Sequence, residues 1–400
     1  MKTYNTIIVG GGASGLFLAK NLSENNISTL VLEKMDSPAK KLLLTGGGMC
    51  NLTRDASSFE ILKHYDKANR FLGPSFALLS PEKTQAWFEE RGLALITRED
   101  GKVFPKRKDA RYVLDLLLDE KYTLLTNTKV ESIIKEDSFY IVNGKYKATN
   151  LVISSGGLSY PATGSTGDGY SFAKNFNHSI VELKPGLASF KITSEDVKQI
   201  EGISLKNVTI SFLDTESKKK KVYKHTDDLI FTKIGISGPV VLDISKYAAH
   251  QQTIFLNLNC QIQKENSSKL LSTSIKHQTQ LPSRLVSYIL DTLNIEDQKC
   301  IDISNKKINL INEKLKRWEV EISLKGQLKG AMATSGGVSL KEVDNKTLES
   351  KLSENLYFCG EVLDFCGDCG GYNLQACWST AYSVATSIIN KSNKLHSKNS

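Results

Sequence analysis

The stretch Thr6–Lys34 reads TIIVGGGASGLFLAKNLSENNISTLVLEK, and it decides the fold. It opens with the β-branched run Thr6–Val9, which predicts a buried strand. Leu18 and Leu22 lie four residues apart, the spacing of a helix that buries one face. A second apolar run, Ser28–Leu32, follows them. Strand, glycine turn, helix and strand within about 30 residues predict a βαβ unit.

The glycine turn of this unit fits the dinucleotide-binding pattern G-x-G-x-x-G. Gly10 allows the tight turn, Gly12 lets the backbone approach a pyrophosphate, and Gly15 lets the helix pack close to the strand. Ala13 and Ser14 open the helix, whose N-terminal N–H groups and positive dipole end stabilise phosphate. The turn is therefore predicted to bind a pyrophosphate.

Glu33 follows the second strand, eighteen residues after Gly15. A carboxylate at this position accepts hydrogen bonds from a ribose 2′-hydroxyl and repels a 2′-phosphate. The alternative is an exposed glutamate at a strand end, with no ligand. The spacing favours FAD or NAD over NADP.

Three further glycine clusters distinguish FAD from NAD. They read TGGGMCN at 45–51, GG at 156–157 with GSTGDG at 164–169, and GE at 360–361 with GGYN at 370–373. NAD needs only the first βαβ unit, whereas backbone must surround the longer flavin, which favours glycine at each approach. Ordinary turns are the alternative. The clusters predict non-covalent FAD, and the helix predicted over Leu374–Ile389 would stabilise negative charge on a reduced flavin.

The composition is that of a soluble globular protein, with 400 residues, 40% hydrophobic residues and a net charge of +9. No apolar run spans a bilayer, and the N-terminus has no signal-peptide pattern, so we expect a cytoplasmic protein without membrane attachment. Seven cysteines in such a chain indicate reduced thiols. The basic residues are dispersed apart from Lys218–Lys221 and the tail from Lys391, so a nucleic-acid partner is not favoured. The oligomeric state is not indicated.

The fold class predicted from these patterns is α/β, with a discontinuous Rossmann-like FAD-binding domain. Its predicted parts are residues 1–188 and 330–390, around a β-rich insert at 189–262 and 321–329, a small helical subdomain at 263–320, and a disordered tail at 391–400. Within them, helices are predicted over Pro81–Arg91, from Asp109 to Glu120, over Leu281–Leu293 and over Ile308–Trp318, and a hairpin over Val130–Ile134 and Phe139–Val142.

The sequence resembles bacterial FAD/NAD(P)-dependent oxidoreductases of the aminoacetone oxidase and BaiN-like bile-acid-reductase type. The matching stretches are IIVGGGASGL (7–16), KKLLLTGGGMCNLT (40–53), VISSGGLSYPATGSTGDGY (152–170), FTKIGISGPVVL (231–242), AMATSGGVSLKEV (331–343) and LYFCGEVLDFCGDCGGYNLQACWSTA (356–381). The resemblance implies a discontinuous FAD domain, a β-rich insert and a small helical subdomain.

The resemblance also implies FAD contacts, with Val130 contacting the adenine through its backbone. The implied contacts are Ser14, Glu33, Lys41, Gly46, Asn51, Val130, Glu361, Asn373 and Leu374. With their neighbours in the same motifs, the candidate cofactor-binding residues are Gly10, Gly12, Ala13, Ser14, Gly15, Glu33, Lys34, Lys40, Lys41, Thr45, Gly46, Gly47, Gly48, Cys50, Asn51, Val130, Gly156, Gly157, Gly360, Glu361, Asp364, Gly371, Tyr372, Asn373 and Leu374. The catalytic residues are unknown at this point. The six histidines form no ligand spacing, so no metal site is predicted.

The chain departs from the family pattern in two places. Met49 stands where the family usually has Arg, and Cys366 and Cys369 replace residues that are usually not cysteine. A Cys-x-x-Cys can be a redox pair or half of a zinc site. The favoured interpretation is a pair of incidental small thiols, and Cys50 is interpreted as a packed thiol.

The function predicted from these features is an FAD-dependent oxidoreductase. Flavin would carry a hydride between a small organic substrate or NAD(P)H and an acceptor. There is no second G-x-G-x-x-G on a βαβ unit, so NAD(P)H would dock only transiently. The alternatives are a flavin-dependent RNA-modifying enzyme, which the positive charge permits, and a non-catalytic flavin redox sensor, which the cysteines permit.

Overall fold

The computed structural model describes residues 1–214, 221–262, 274–277, 279–299, 301–324 and 326–399. They form two compact units, Met1–Lys184 with Ala333–Ser400, and Pro185–Met332. The first unit is thus discontinuous in sequence. The basic run Lys218–Lys221, predicted to be a solvated hairpin turn, lies outside the described residues except for Lys221.

The helices and strands are numbered in chain order. The strands are β1 Lys2–Val9, β2 Thr29–Leu32, β3 Thr53–Arg54, β4 Leu95–Thr97, β5 Lys102–Pro105, β6 Thr123–Leu125, β7 Ile133–Glu136, β8 Phe139–Val142, β9 Tyr146–Ile153, β10 Ile180–Gly186, β11 Phe190–Ile192, β12 Ser204–Leu213, β13 Val222–Thr232, β14 Gly235–Ser237, β15 Gln252–Asn257, β16 Trp318–Ser323, β17 Ala333–Val338 and β18 Leu356–Phe358. The α-helices are α1 Ala13–Glu24, α2 Lys40–Leu44, α3 Ser58–Leu62, α4 Asn69–Leu78, α5 Pro81–Glu89, α6 Arg111–Leu117, α7 Asp168–Asn175, α8 Pro239–Ile244, α9 Ser283–Thr292, α10 Asn305–Lys316 and α11 Tyr372–Asn399.

A seven-stranded sheet forms the centre of the first unit, in the order β6-β2-β1-β9-β8-β7 with β18 also paired to β9. β1 runs parallel to β2, from Thr6 opposite Thr29 to Val9 opposite Leu32, so the predicted βαβ unit is present. β1, β9 and β18 are also parallel, whereas β7 and β8 form the predicted antiparallel hairpin. The C-terminal ends of β1 and β9, residues 7–9 and 151–153, are apolar and buried, as expected for a parallel sheet that is covered on both faces.

The second unit contains a closed barrel in the order β11-β14-β13-β12-β15-β16. Helices α9 and α10 share one apolar core with the barrel, in which Leu285 and Ile311 are buried together with Ile210 and Leu256. The β-rich and helical parts of the insert are therefore one unit. The helix predicted to reach Trp318 ends at Lys316, because Trp318 is fully buried in the barrel and begins β16.

Two further sequence-based boundaries differ from the structure. The sequence predicts that Asp109 caps α6, but the helix begins at Arg111, and an Asp109 carboxylate oxygen accepts the Arg111 backbone N–H at 2.9 Å. The tail predicted to be disordered from residue 391 continues α11 to Asn399. Lys391, the first residue of this tail, is held by Glu349, because its Nζ donates to both Glu349 carboxylate oxygens at 2.8 Å. Among the described helices, none has the length and apolar character to cross a membrane.

Candidate flavin site

The start of α1 combines close packing with open space. A Cβ on Gly15 would lie 2.0 Å from the Gly10 carbonyl oxygen, so only glycine fits there. Gly10 has a φ of +107°, which other residues rarely adopt. A Cβ on Gly12, the N-cap residue, would have no atom within 4 Å, and no side chain caps the helix. The turn leaves N–H groups and room for an anion.

Glu33 is buried and holds this turn from the side. One carboxylate oxygen accepts the Gly11 backbone N–H at 2.8 Å, and the other accepts the Met35 backbone N–H at 2.8 Å. Only 9% of the residue is exposed, which rules out the interpretation as an exposed strand-end glutamate. Each oxygen has a further lone pair for a ligand hydroxyl.

Glu361 joins segments that are far apart in the sequence. Its carboxylate accepts from Lys41 Nζ at 2.5 Å, from the Ser159 hydroxyl at 2.8 Å and from the Thr334 backbone N–H at 2.8 Å. Lys41 Nζ also lies 2.5 Å from Ser159 Oγ. Ser159 and Thr334 are not among the residues predicted from the sequence, although both lie in the stretches that match the family. A Cβ on Gly157 would lie 2.3 Å from Thr334 Oγ1, which explains that glycine.

The first and last glycine clusters are in direct contact. Gly360 has a φ of +74°, and a Cβ on it would lie 2.2 Å from Ser14 Oγ. The Ser14 hydroxyl forms a hydrogen bond with the Cys377 thiol of α11. Because burial dominates, the pKa of Cys377 is raised to about 11. Helices α1 and α11 are therefore joined close to their N-terminal ends.

The second cluster lies beside the start of α11. Gly46, Gly47 and Gly48 all have positive φ values, of 58°, 67° and 88°. A Cβ on Gly371 would meet the Thr53 carbonyl oxygen at 2.8 Å and Asn51 Oδ1 at 3.0 Å. This segment thus brings main-chain atoms without side chains, and the Asn51 side-chain amide, next to the start of α11.

Several buried polar atoms in this region lack partners within the described part of the chain. They include Asn51 Oδ1, Ser155 Oγ and the Tyr170 hydroxyl. Burial, then Glu361 and Asp364, raise the pKa of Tyr170. Unpaired buried polar atoms are rare in folded proteins, and a polar ligand would satisfy them. Together with the open space at Gly12, they fit an extended dinucleotide cofactor.

The remaining candidate residues divide into those near these groups and those apart from them. Lys34 Nζ pairs with Asp168 at 2.7 Å, and Lys40 Nζ pairs with exposed Asp36 at 2.5 Å. The Thr45 hydroxyl donates to the Leu42 carbonyl within its own turn at 2.6 Å. Val130 is buried, with 6% of the residue exposed, and Leu374 is half-buried. Gly156 has a positive φ of +72°. Burial raises the pKa of the Asp364 carboxyl group. The described ion pair of Lys40 involves neither the α1 turn nor Glu361.

A family model described as the Rossmann domain of HI0933-like proteins matches residues 4–387. The chain belongs to the HI0933-like family. It is 31% identical over 404 residues to a Haemophilus influenzae protein named ribosomal RNA dihydrouridine synthase, covering 96% of this chain and 98% of that protein. It is 26% identical to a 3-dehydro-bile acid Δ4,6-reductase of Clostridium scindens, covering 94% of this chain and 96% of that protein.

The fold agrees with this membership. The solved 3-ketosteroid-Δ4-(5α)-dehydrogenase from Rhodococcus jostii RHA1 aligns over 97% of each chain, at 12% identity and a TM-score of 0.50. The resemblance to the BaiN-like oxidoreductases is confirmed, and this HI0933-like chain is a flavoprotein oxidoreductase with an FAD-type Rossmann domain.

The cysteines of this HI0933-like chain differ in environment. Burial raises the pKa of Cys50 to about 12, opposed by a hydrogen bond with Thr45. Cys50 is fully buried, which supports its interpretation as a packed thiol. Cys366 is buried and Cys369 is half-buried, and both are thiols.

Two side-chain clusters were not identified from the sequence, because each contains only one histidine and so shows no histidine-to-histidine ligand spacing. Beside α11, His64 Nδ1 lies 2.7 Å from Asp368 Oδ2, and His64 Nε2 lies 3.1 Å from the Tyr372 hydroxyl. In the second unit, ligand atoms of His225, Asp227 and Asp243 lie within 4.8 Å of one another. The histidine spacing gave no signal for either cluster.

Proposed function

We propose that this protein uses FAD to reduce a carbon–carbon double bond conjugated to a carbonyl group. The observation that carries the proposal is the junction of the first and last glycine clusters, where Ser14 of α1 contacts Gly360 and the Cys377 thiol of α11, with the Lys41–Glu361 pair next to Gly360. Two helix N-termini in one site suit a cofactor with a pyrophosphate at one end and a reducible ring at the other.

The residues that would hold FAD follow from their positions. Gly12 and the first N–H groups of α1 would bind the pyrophosphate, and Glu33 would accept from the ribose. Lys41, Asn51 and the first turn of α11 would bind the ring end. Bound FAD supplies two-electron hydride chemistry. The protein orients the substrate, excludes water and supplies the proton that completes the reduction.

The reactions named for two relatives support this reaction class. Dihydrouridine synthesis saturates the double bond next to the C4 carbonyl of uracil, and the bile-acid reductase acts on a 3-keto diene. Both add a hydride and a proton across a double bond conjugated to a carbonyl. We propose the same step here, with NAD(P)H or another two-electron donor docking transiently to reduce the flavin.

Uridine in ribosomal RNA is the first substrate candidate, and a steroid-like enone is the second. The insert at 185–332 contains 22 Lys and Arg residues against 16 Asp and Glu residues, which is most of the net charge of +9. Such an excess attracts a polyanion. The small organic substrate predicted from the sequence corresponds to the enone.

Anaerobic half-reactions test the proposal and separate the two candidates. The purified protein should release FAD on acid treatment, and NADH or NADPH should bleach the bound flavin. Unmodified ribosomal RNA or a 3-keto-4-ene steroid should then reoxidise it, with a saturated product detected by mass spectrometry. If FAD is reduced but neither compound restores the oxidised spectrum, the proposed reaction is wrong. Thiol-dependent spectral changes without turnover would favour the redox sensor.

A further inference from the structure

A side-chain relay leads from the surface to the first residue of α11. The Asp368 carboxylate lies 2.7 Å from His64 Nδ1, and His64 Nε2 lies 3.1 Å from the Tyr372 hydroxyl. The rings of His64 and Tyr372 have centroids 4.2 Å apart. These contacts fix the imidazole between a carboxylate and a phenol, the arrangement in which a carboxylate orients a histidine for proton transfer.

The three side chains of the relay differ in exposure. The His64 side chain, in the middle of the relay, is 40% exposed and that of Asp368 is 19% exposed, whereas Tyr372 is 6% exposed. His64 is therefore accessible to solvent, and Tyr372 is largely shielded from it. Protons can thus enter the relay at the imidazole and pass inward to the buried start of α11.

The backbone around the relay is held on both sides. The Tyr65 hydroxyl donates to the Tyr372 carbonyl at 2.5 Å. The Asn373 side chain accepts the Gly367 N–H and donates to the Gly367 carbonyl, each at 2.9 Å. Asn373, a predicted flavin contact, thus clamps the loop that contains Asp368. A loop fixed in this way holds the carboxylate at hydrogen-bonding distance without a large entropic cost.

The relay has charged and titratable neighbours. The Arg54 guanidinium lies 5.2 Å from the centre of the Tyr372 ring and donates to the Gly370 carbonyl. Tyr65 interacts electrostatically with Tyr372 and Asp368 and with the thiols of Cys366 and Cys377, and Lys102 lies with Arg54 beside Gly370. A guanidinium over a phenol ring stabilises the phenolate formed when the hydroxyl gives up its proton.

We propose that Asp368, His64 and Tyr372 deliver the proton that completes reduction of the substrate. This inference rests on the proposed function. With the hydride for one carbon of the double bond supplied by bound flavin, the Tyr372 hydroxyl would give its proton to the other carbon. His64 then takes a proton from solvent at Nε2, while Asp368 holds the proton on Nδ1, and the imidazole passes the Nε2 proton to the phenolate. Tyr372 is the catalytic residue, while His64 and Asp368 are positioning residues.

Variants of the relay separate proton delivery from cofactor binding. Tyr372→Phe should slow flavin reoxidation by the conjugated substrate about 10²–10⁴-fold, the usual contribution of a general acid. FAD content and the rate of flavin reduction should stay within about twofold of wild type, and the melting temperature should be unchanged. Tyr112→Phe is the matched control, because its hydroxyl accepts from Arg107 at 2.8 Å away from the relay. It should leave reoxidation unchanged.

The positioning residues have their own readouts. His64→Gly should slow reoxidation and be rescued by added imidazole, and Asp368→Asn should alter the pH profile of reoxidation. Nitrogen NMR of the FAD-free protein should show the His64 tautomer with a proton on Nδ1, and Asp368→Asn should change that tautomer balance. This measurement reports on the relay even if no conjugated substrate is turned over.

The outcomes distinguish the relay from the proposed function. If wild type reduces the substrate and Tyr372→Phe does so equally fast, the relay is wrong and the reaction stands. The relay is also wrong if every variant loses FAD or stability in proportion to activity, because the residues are then structural. An absence of reoxidation in wild type contradicts the proposed function, while the NMR result still tests the hydrogen bonds.

Discussion

The N-termini of α1 and α11 offer the same N–H groups but differ in what surrounds them. At α1 the turn is glycine, no side chain caps the helix, and the space beside Gly12 is open. At α11 the first residue is Tyr372, whose hydroxyl contacts His64. A terminus without side chains suits a charge that is always present, such as a pyrophosphate. A terminus with proton-bearing groups suits a charge that appears and disappears during a reaction.

The largest expected effect comes from two alanine substitutions in the α1 turn. Gly15→Ala should destabilise the fold by about 3 kcal/mol or more, because its Cβ would overlap the Gly10 carbonyl at 2.0 Å. Gly12→Ala should leave the apoprotein melting temperature nearly unchanged and weaken FAD binding by about 100-fold, or ~2.7 kcal/mol. Denaturation and equilibrium dialysis measure the two quantities.

The control for this pair is Gly73→Ala in α4, where an added Cβ has nothing within 4 Å. It should stabilise the protein by about 0.5–1 kcal/mol, because alanine is the better helix former. Equal losses of stability in Gly12→Ala and Gly15→Ala would show that the α1 terminus has no ligand space.

A smaller effect is expected at Glu33. Glu33→Ala should weaken FAD binding by about 10–100-fold, since a charge-assisted hydrogen bond is worth roughly 1.5–3 kcal/mol. Alanine also removes the acceptors for the Gly11 and Met35 N–H groups, so some stability should be lost. Glu33→Gln keeps an acceptor and should retain more of both. An unchanged dissociation constant in both variants places the ribose elsewhere.

The contacts of the Glu361 carboxylate with Lys41, Ser159 and Thr334 predict a loss of stability when its charge is removed. Glu361→Gln removes the charge that pairs with Lys41 and should destabilise the protein by about 1–3 kcal/mol in urea unfolding. Asp36→Asn breaks a similar pair with the neighbouring lysine, Lys40, but that carboxylate is exposed. This control should have no measurable effect. If the two variants behave alike, the Glu361 carboxylate does not hold the segments around Lys41, Ser159 and Thr334 together.

The smallest effect is expected at the two cysteines of the Cys-x-x-Cys. Anaerobic dithionite titration should consume two electrons per FAD, with no long-wavelength charge-transfer band. Cys366→Ser/Cys369→Ser should leave that endpoint and the turnover rate near wild type. A four-electron endpoint that falls to two in the double variant would make the pair redox-active and add a second acceptor beside α11.

The α1 terminus was predictable from the sequence because its parts are neighbours in the chain. The turn, Gly15 and Glu33 lie within one βαβ unit, and the local pattern predicts them. Lys41 and Glu361 are 320 residues apart, and the sequence identified both only through the family resemblance. His64 and Asp368 are 304 residues apart, and His64 lies in none of the matching stretches, so no local rule brings the two together.

The errors in element boundaries have the same origin. Helical periodicity continues through Trp318, but burial of its ring in the barrel ends α10 earlier. Polar composition predicted a disordered tail, but Lys391 at its start reaches Glu349, 42 residues away, and the tail continues α11. In both places a distant contact overrides the local preference.

The structure of the FAD complex is the most direct test of how the two termini are used. We expect the pyrophosphate within hydrogen-bonding distance of the first N–H groups of α1, and the ring at the first turn of α11 with the Tyr372 hydroxyl beside it. A ring bound away from α11, or a pyrophosphate away from Gly12, would contradict it.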